Sequence, residues 1–152
     1  MKTLARQDCK EEILRRLRTV RPDATARWGR MTAHQMVCHL SDCCRMASGE
    51  KAVTAVAGPL PPVVMKWIAL YLPLPWPRGI KTRPEVDQHV GGTQPVEFAA
   101  DRARAETLLD ALTTRPVGTT WCSHPVFGRM SRADWLRWGY VHTAHHLKQF
   151  GA

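Results

Sequence analysis

The sequence predicts an all-α protein, a four-helix bundle with one long crossover, built as a single domain over residues 1–152. Three observations carry this reading. Four segments combine a helix-start signal with apolar residues at helical spacing, no strand-period stretch of any length competes with them, and one proline-rich interruption separates the second from the third.

The elements follow in order. Asp8-Cys9-Lys10-Glu11 reads as an acidic capping box, with Leu14 and Leu17 on one side of the helix and Pro22 as its stop. Thr32-Ala33-His34-Gln35 is a second box, opening a helix that runs to about Gly49. Residues 50 to 95 form the crossover. There Pro59, Pro61, Pro62, Pro73, Pro75 and Pro77 bracket the apolar run Val63 to Leu72, which reads as a short helix packed over one end of the core. Ten residues with Lys66 among them are too few to span a bilayer, and docking to a membrane interface through Trp67, Tyr71 and Trp76 is the weaker alternative. A third amphipathic helix is expected from about Val96 to Thr113, carrying Phe98, Ala105, Leu108, Leu109 and Leu112. Ser131-Arg132-Ala133-Asp134 opens the fourth, which runs nearly to the end. Its lead-in, Phe127-Gly128-Arg129-Met130, matches that of the second helix, Trp28-Gly29-Arg30-Met31, so the two helix starts are expected to share a packing environment.

Composition bounds the partners. A chain of 152 residues with 44% hydrophobic and 23% charged residues can bury an ordinary core. Its five cysteines are odd in number and form no CxxC pair, which favours reduced thiols and a cytoplasmic setting. The net charge is +9, and residues 1–30 hold just over half of it, with nine Lys and Arg against four acids. Glu11 precedes Arg15 and Glu12 precedes Arg16 by four residues, the spacing of helix-surface ion pairs worth roughly 0.2–0.5 kcal/mol each. A solvated helix face thus explains much of the basic character, and no nucleic-acid motif accompanies it. A homodimer is expected if the apolar surface around Trp67 to Trp76 is exposed.

The most informative stretch is His142-Thr-Ala-His145-His146-Leu-Lys-Gln149-Phe150. On a helix His142 and His146 lie one turn apart on one face, the arrangement by which two imidazoles reach one divalent metal, and His39 in the second helix supplies a third. Trp135, Trp138, His142, His146 and Gln149 run along one stripe where core residues belong, so two polar rings are placed in an interior that requires partners for them. Spacing alone equally admits His145 in place of His146. His34, His89 and His124 are left outside the site. Asp42 follows His39 by three residues and reads either as a group that orients an imidazole or acts as general base, or as a surface carboxylate. Cys43 is either a fourth, soft ligand or a small buried hydrophobe, and Gln149 either borders the site or is an exposed amide.

The stretch Trp28 to Asp42 (WGRMTAHQMVCHLSD), the Pro75-Trp76-Pro77 loop, and His124-Pro-Val-Phe-Gly-Arg-Met through Trp135 to Phe150 resemble a DinB-like family, and within it a branch described only as a domain of unknown function. The pattern HPxFG…W…HxxHHLxQF is its most specific part. The resemblance implies a DinB-like four-helix bundle whose metal ligands are His39, His142 and His146, which selects His146 over His145. It also implies a metal-dependent enzyme acting on a small molecule. Zinc or nickel is the expected metal, and the chemistry is either transfer of a low-molecular-weight thiol or hydrolysis. The competing expectation, of another class, is a non-catalytic metal- or small-ligand-binding module whose metal serves stability. A role in DNA damage finds no support in these residues.

Overall fold

The computed structural model describes residues 1–152 and is all-helical, with five α-helices and no strand. They are α1 (Gln7–Thr19), α2 (Ala33–Ser48), α3 (Pro62–Tyr71), α4 (Phe98–Thr114) and α5 (Arg132–Gln149), with one 3-10 turn at Pro84–Val86. α2 packs most extensively on α4, α1 bridges α4 and α5, and α5 closes on α2; α3 lies against α5. No helix is long and apolar enough to cross a membrane.

Twenty-six buried apolar side chains form one core. α1 contributes Cys9, Ile13 and Leu17, α4 contributes Ala105, Leu109 and Leu112, and α5 contributes Trp135, Leu136, Trp138, Tyr140 and Leu147. Trp135 is wholly buried, and its indole nitrogen donates to the Cys122 carbonyl, so its one polar atom is satisfied. Truncating such a ring to Ala costs about 3–5 kcal/mol.

The helix starts show which sequence signals hold. At α2 the Thr32 hydroxyl accepts from the Gln35 amide while the Gln35 side chain accepts from the Thr32 amide; Ser131 and Asp134 repeat this at α5. Both boxes follow a glycine in the left-handed region, Gly29 at φ +80° and Gly128 at φ +64°. The shared aromatic-Gly-Arg-Met lead-in therefore encodes one turn used twice, since only glycine adopts this backbone without strain. α1 differs from expectation. Its N-cap is Arg6, two residues ahead of Asp8, and no side chain caps it. The helix begins at Gln7, which places Asp8 inside its first turn, and the Asp8 carboxylate is held by the Arg6 guanidinium at 2.6 and 3.0 Å. α4 starts later than the sequence predicts, at Phe98, because Glu97 accepts from the amides of Ala99 and Ala100 as its N-cap; Val96 lies outside, 87% exposed.

The basic N-terminal segment is largely paired. Glu12 meets Arg16 at 3.5 Å as the spacing predicts, but Glu11 takes the Gln7 amide rather than Arg15. Lys10 reaches Asp110 and Arg18 reaches Glu106, tying α1 to α4. α3 buries only Leu70 fully and leaves Val63 and Trp67 exposed. All five cysteines are free thiols.

Candidate metal centre

His39 on α2 and His142 and His146 on α5 meet where the two helices cross, one ligand atom from each lying within 4.8 Å of the others. They are 4, 9 and 8% exposed. His39 approaches His142 with their Nε2 atoms 3.3 Å apart. Two ligands of a tetrahedral zinc ion with bonds of about 2.0–2.1 Å stand roughly 3.3–3.4 Å apart.

Hydrogen bonds fix which nitrogen two of the rings present. His39 Nδ1 lies 2.8 Å from the Val86 carbonyl, which only accepts, so Nδ1 carries the proton and Nε2 the lone pair. Gln149 settles His146 in two steps. Its Nε2 donates to the Trp28 carbonyl at 2.6 Å, which turns its Oε1 toward His146 Nδ1 at 2.8 Å. Nδ1 of His146 is therefore the donor, leaving Nε2 free. The His142 ring is held by stacking on Trp138, with centroids 4.6 Å apart and planes at 12°. Burial pushes the pKa of all three below the ordinary histidine value, and for His142 and His146 the neighbouring imidazoles push it further. For His39 and His146 the proton sits on Nδ1 and the lone pair on Nε2, the neutral form in which histidine binds metal.

The turn before α2 supports this arrangement directly. A Cβ on Gly29 would lie 2.8 Å from Gln149 Nε2, so the residue after Trp28 must be glycine for Gln149 to reach the Trp28 carbonyl.

Asp42 is placed differently from its expectation as a partner of histidine. It is fully buried, but its carboxylate faces away from the three rings and grips residues 88–93, accepting from the Thr93 amide at 2.7 Å, the Thr93 hydroxyl at 2.6 Å and Gln88 Nε2 at 3.1 Å. Arg45 and Lys51 stand at 3.5 and 3.3 Å. Three residues along α2 carry its side chain past the α5 contact to the crossover. Its link to the site is indirect: it anchors the segment that follows Val86. Cys43 Sγ lies 3.6 Å from His39 Nε2, and burial holds its thiol well above the ordinary value, as a protonated core residue.

The remaining histidines separate cleanly. His145 is half-buried and faces Trp28 and Trp76 instead of the cluster's centre. His124 Nδ1 accepts from the Val126 and Phe127 amides, its ring stacks on Phe127 at 4.3 Å, and burial lowers its pKa to about 3. It shapes the turn that precedes α5. His34 bonds Asp101 at 2.8 Å, and Cys38 completes a second close group with them. Burial pushes the Cys38 thiol up to about 12, so it is neither a nucleophile nor a ready ligand at neutral pH. Sequence reasoning missed the Val86 carbonyl, because a backbone acceptor leaves no side-chain signal.

A family model described as "Protein of unknown function (DUF1569)" matches residues 12–152. The chain belongs to the DUF1569 family. The match takes in all three clustered histidines, Gln149, Asp42 and the HPxFG turn of this DUF1569 protein. No curated protein and no solved structure matches the chain.

Proposed function

We propose that His39, His142 and His146 bind one divalent metal, zinc or nickel, and that this DUF1569 protein is a metal-dependent enzyme acting on a small molecule. Its architecture in this reading is a DinB-like four-helix bundle of α1, α2, α4 and α5. The observation that carries the reading is the pair of Nδ1 hydrogen bonds, from His39 to Val86 and from His146 to Gln149, which leave both Nε2 lone pairs free for an ion in a cluster whose ligand atoms lie within 4.8 Å of one another. Three neutral ligands leave the ion's charge undiminished, and a divalent ion so held supplies Lewis acidity to a thiol or a water.

The chain's own groups bear on the chemistry. Hydrogen bonds to His39 and His146 come from a carbonyl and an amide, and no carboxylate touches the three rings. With Asp42 committed to the crossover, a thiol or a water on such an ion would alike release its proton to solvent near neutral pH, so the ligand set accommodates thiol transfer to an electrophile and hydrolysis equally. Pairing of the α1 cations within the molecule supports a small-molecule partner over a nucleic acid. Exposed Val63 and Trp67 on α3 support a homodimer contact, and the free thiols support a reducing, cytoplasmic setting.

The test is elemental analysis of untagged protein, wild type beside His39→Ala and His142→Ala. Roughly one equivalent of zinc or nickel, lost in both variants, is the expected result. No metal after reconstitution would leave three packed, hydrogen-bonded histidines and no basis for the enzyme.

A second reading, a structural metal without catalysis, is favoured by the deep burial of the three rings and by Cys43 Sγ at 3.6 Å from His39 Nε2. It predicts that chelation lowers the melting temperature as much as His142→Ala does, because binding free energy is then folding free energy. An apoprotein with an unchanged melting curve excludes it.

A further inference from the structure

Next to the histidine cluster, α5 and the segment after α3 enclose a cleft of about 250 Å³, walled by Trp28, Trp76, Arg78, Val141, His145 and Lys148 among others. Its aromatic walls are held in place. Trp76 Nε1 donates to the Ala69 carbonyl at 2.7 Å, and Trp28 packs edge-on to His145 with centroids 5.4 Å apart. The Arg78 guanidinium lies over the Trp28 ring at 4.5 Å.

The charge in this cleft is unbalanced. None of the residues lining it is acidic. Arg78 and Lys148 have no carboxylate within salt-bridge distance. Two unpaired cations beside low-dielectric indole walls concentrate a positive field where an anion can enter. The same walls offer flat apolar surface.

We propose that this cleft binds a small amphipathic oxyanion, a carboxylate or phosphate joined to a flat apolar body, with the anion on Arg78 and Lys148 and the flat body between Trp28 and Trp76. The inner wall touches the histidine cluster: Trp76 lies 6.1 Å from the His142 ring and His145 lies 5.4 Å from that of His146. The cleft thereby names the substrate class of the site proposed above. That role rests on the metal reading, whereas occupancy of the cleft does not.

The test is calorimetric titration of the untagged full chain with 2-naphthoate, 2-naphthyl phosphate and neutral 2-naphthol. One anion or both should bind one-to-one, at least about tenfold tighter than 2-naphthol, with the advantage shrinking at high salt. The preferred anion tells carboxylate from phosphate ligands. Arg78→Gln/Lys148→Gln, both exposed positions, should abolish that advantage while melting temperature and metal content stay unchanged. Trp28→Leu should weaken all three compounds. Neither anion binding tighter than naphthol, undiminished anion affinity in the double variant, or no binding at all overturns the proposal. Repeating the titration on chelator-treated His142→Ala separates the two readings: anion binding retained without metal upholds the cleft, and metal retained by wild type without anion binding defeats it alone.

Discussion

The Nε2 atoms of His39 and His142 stand 3.3 Å apart across the α2–α5 contact. His39 cannot be the donor of that pair, because its single proton is on Nδ1 and bonded to Val86. A hydrogen bond between the two rings in metal-free protein requires His142 to be its donor, with the proton on Nε2. With metal bound, that proton has to move to Nδ1 or leave. Nitrogen-15 spectra of the imidazoles at about pH 7.5 should show His39 and His146 as Nδ1–H tautomers with and without zinc, and His142 alone changing tautomer on zinc addition. An Nε2–H signal from His39 would contradict the arrangement.

Gln149 is held between Trp28 and His146, so its removal should act on metal affinity more than on the fold. Gln149→Leu keeps the apolar volume but takes away the acceptor that fixes His146 and the donor to the Trp28 carbonyl. Metal affinity measured by competition with a chromophoric chelator is expected to fall about 10–100-fold, the usual effect of losing a ligand's hydrogen-bond partner. An unchanged affinity would mean that packing alone orients His146.

Asp42 should show the reverse pattern. Asp42→Asn removes a buried charge from between Arg45, Lys51 and Thr93 and leaves those cations facing a neutral amide. Breaking one side of such a buried network costs about 3–5 kcal/mol at the upper end, discounted here because both cations are part-exposed. Chemical denaturation should register this loss while metal stoichiometry stays that of wild type. Loss of metal with stability intact would restore Asp42 to the site.

These contrasts mark what the sequence makes legible. The caps at Thr32 and Ser131 are local, with donor and acceptor three residues apart, and they form as read. The Asp8 box has the same spacing and fails because the helix already begins at Gln7, with Asp8 inside its first turn and its carboxylate on Arg6, two residues ahead. Helical spacing brings His142 to His39, but it cannot choose between His145 and His146, which flank the same stripe. The fold brings His146 into the cluster, and Gln149 fixes its ring through the Trp28 carbonyl, over a hundred residues away in sequence. The Val86 carbonyl and the Trp28–Trp76 cleft depend on how the crossover settles on α2 and α5, and proline spacing does not encode that.

His124 provides a test of burial that is independent of the metal. Its pKa falls to about 3 from the ordinary 6.5 because its ring is desolvated among Phe127, Trp135 and Trp138. Between those values the unfolded chain holds a proton on His124 that the native protein refuses. Native stability is therefore complete above about pH 6.5 and is lost on acidification, by up to about 1.4 kcal/mol per pH unit from this one group. His124→Asn keeps an acceptor oxygen for the Val126 and Phe127 amides and removes the titration. The variant should be less stable than wild type by about 1–3 kcal/mol at neutral pH, through lost ring packing. That deficit should narrow as acid selectively weakens wild type, by about 2 kcal/mol between pH 6.5 and 5. Urea midpoints of chelator-treated protein at about pH 7.5, 6 and 5 read the gap directly. A gap that stays constant across the three would show that His124 protonates freely in the native state and that its turn opens to water.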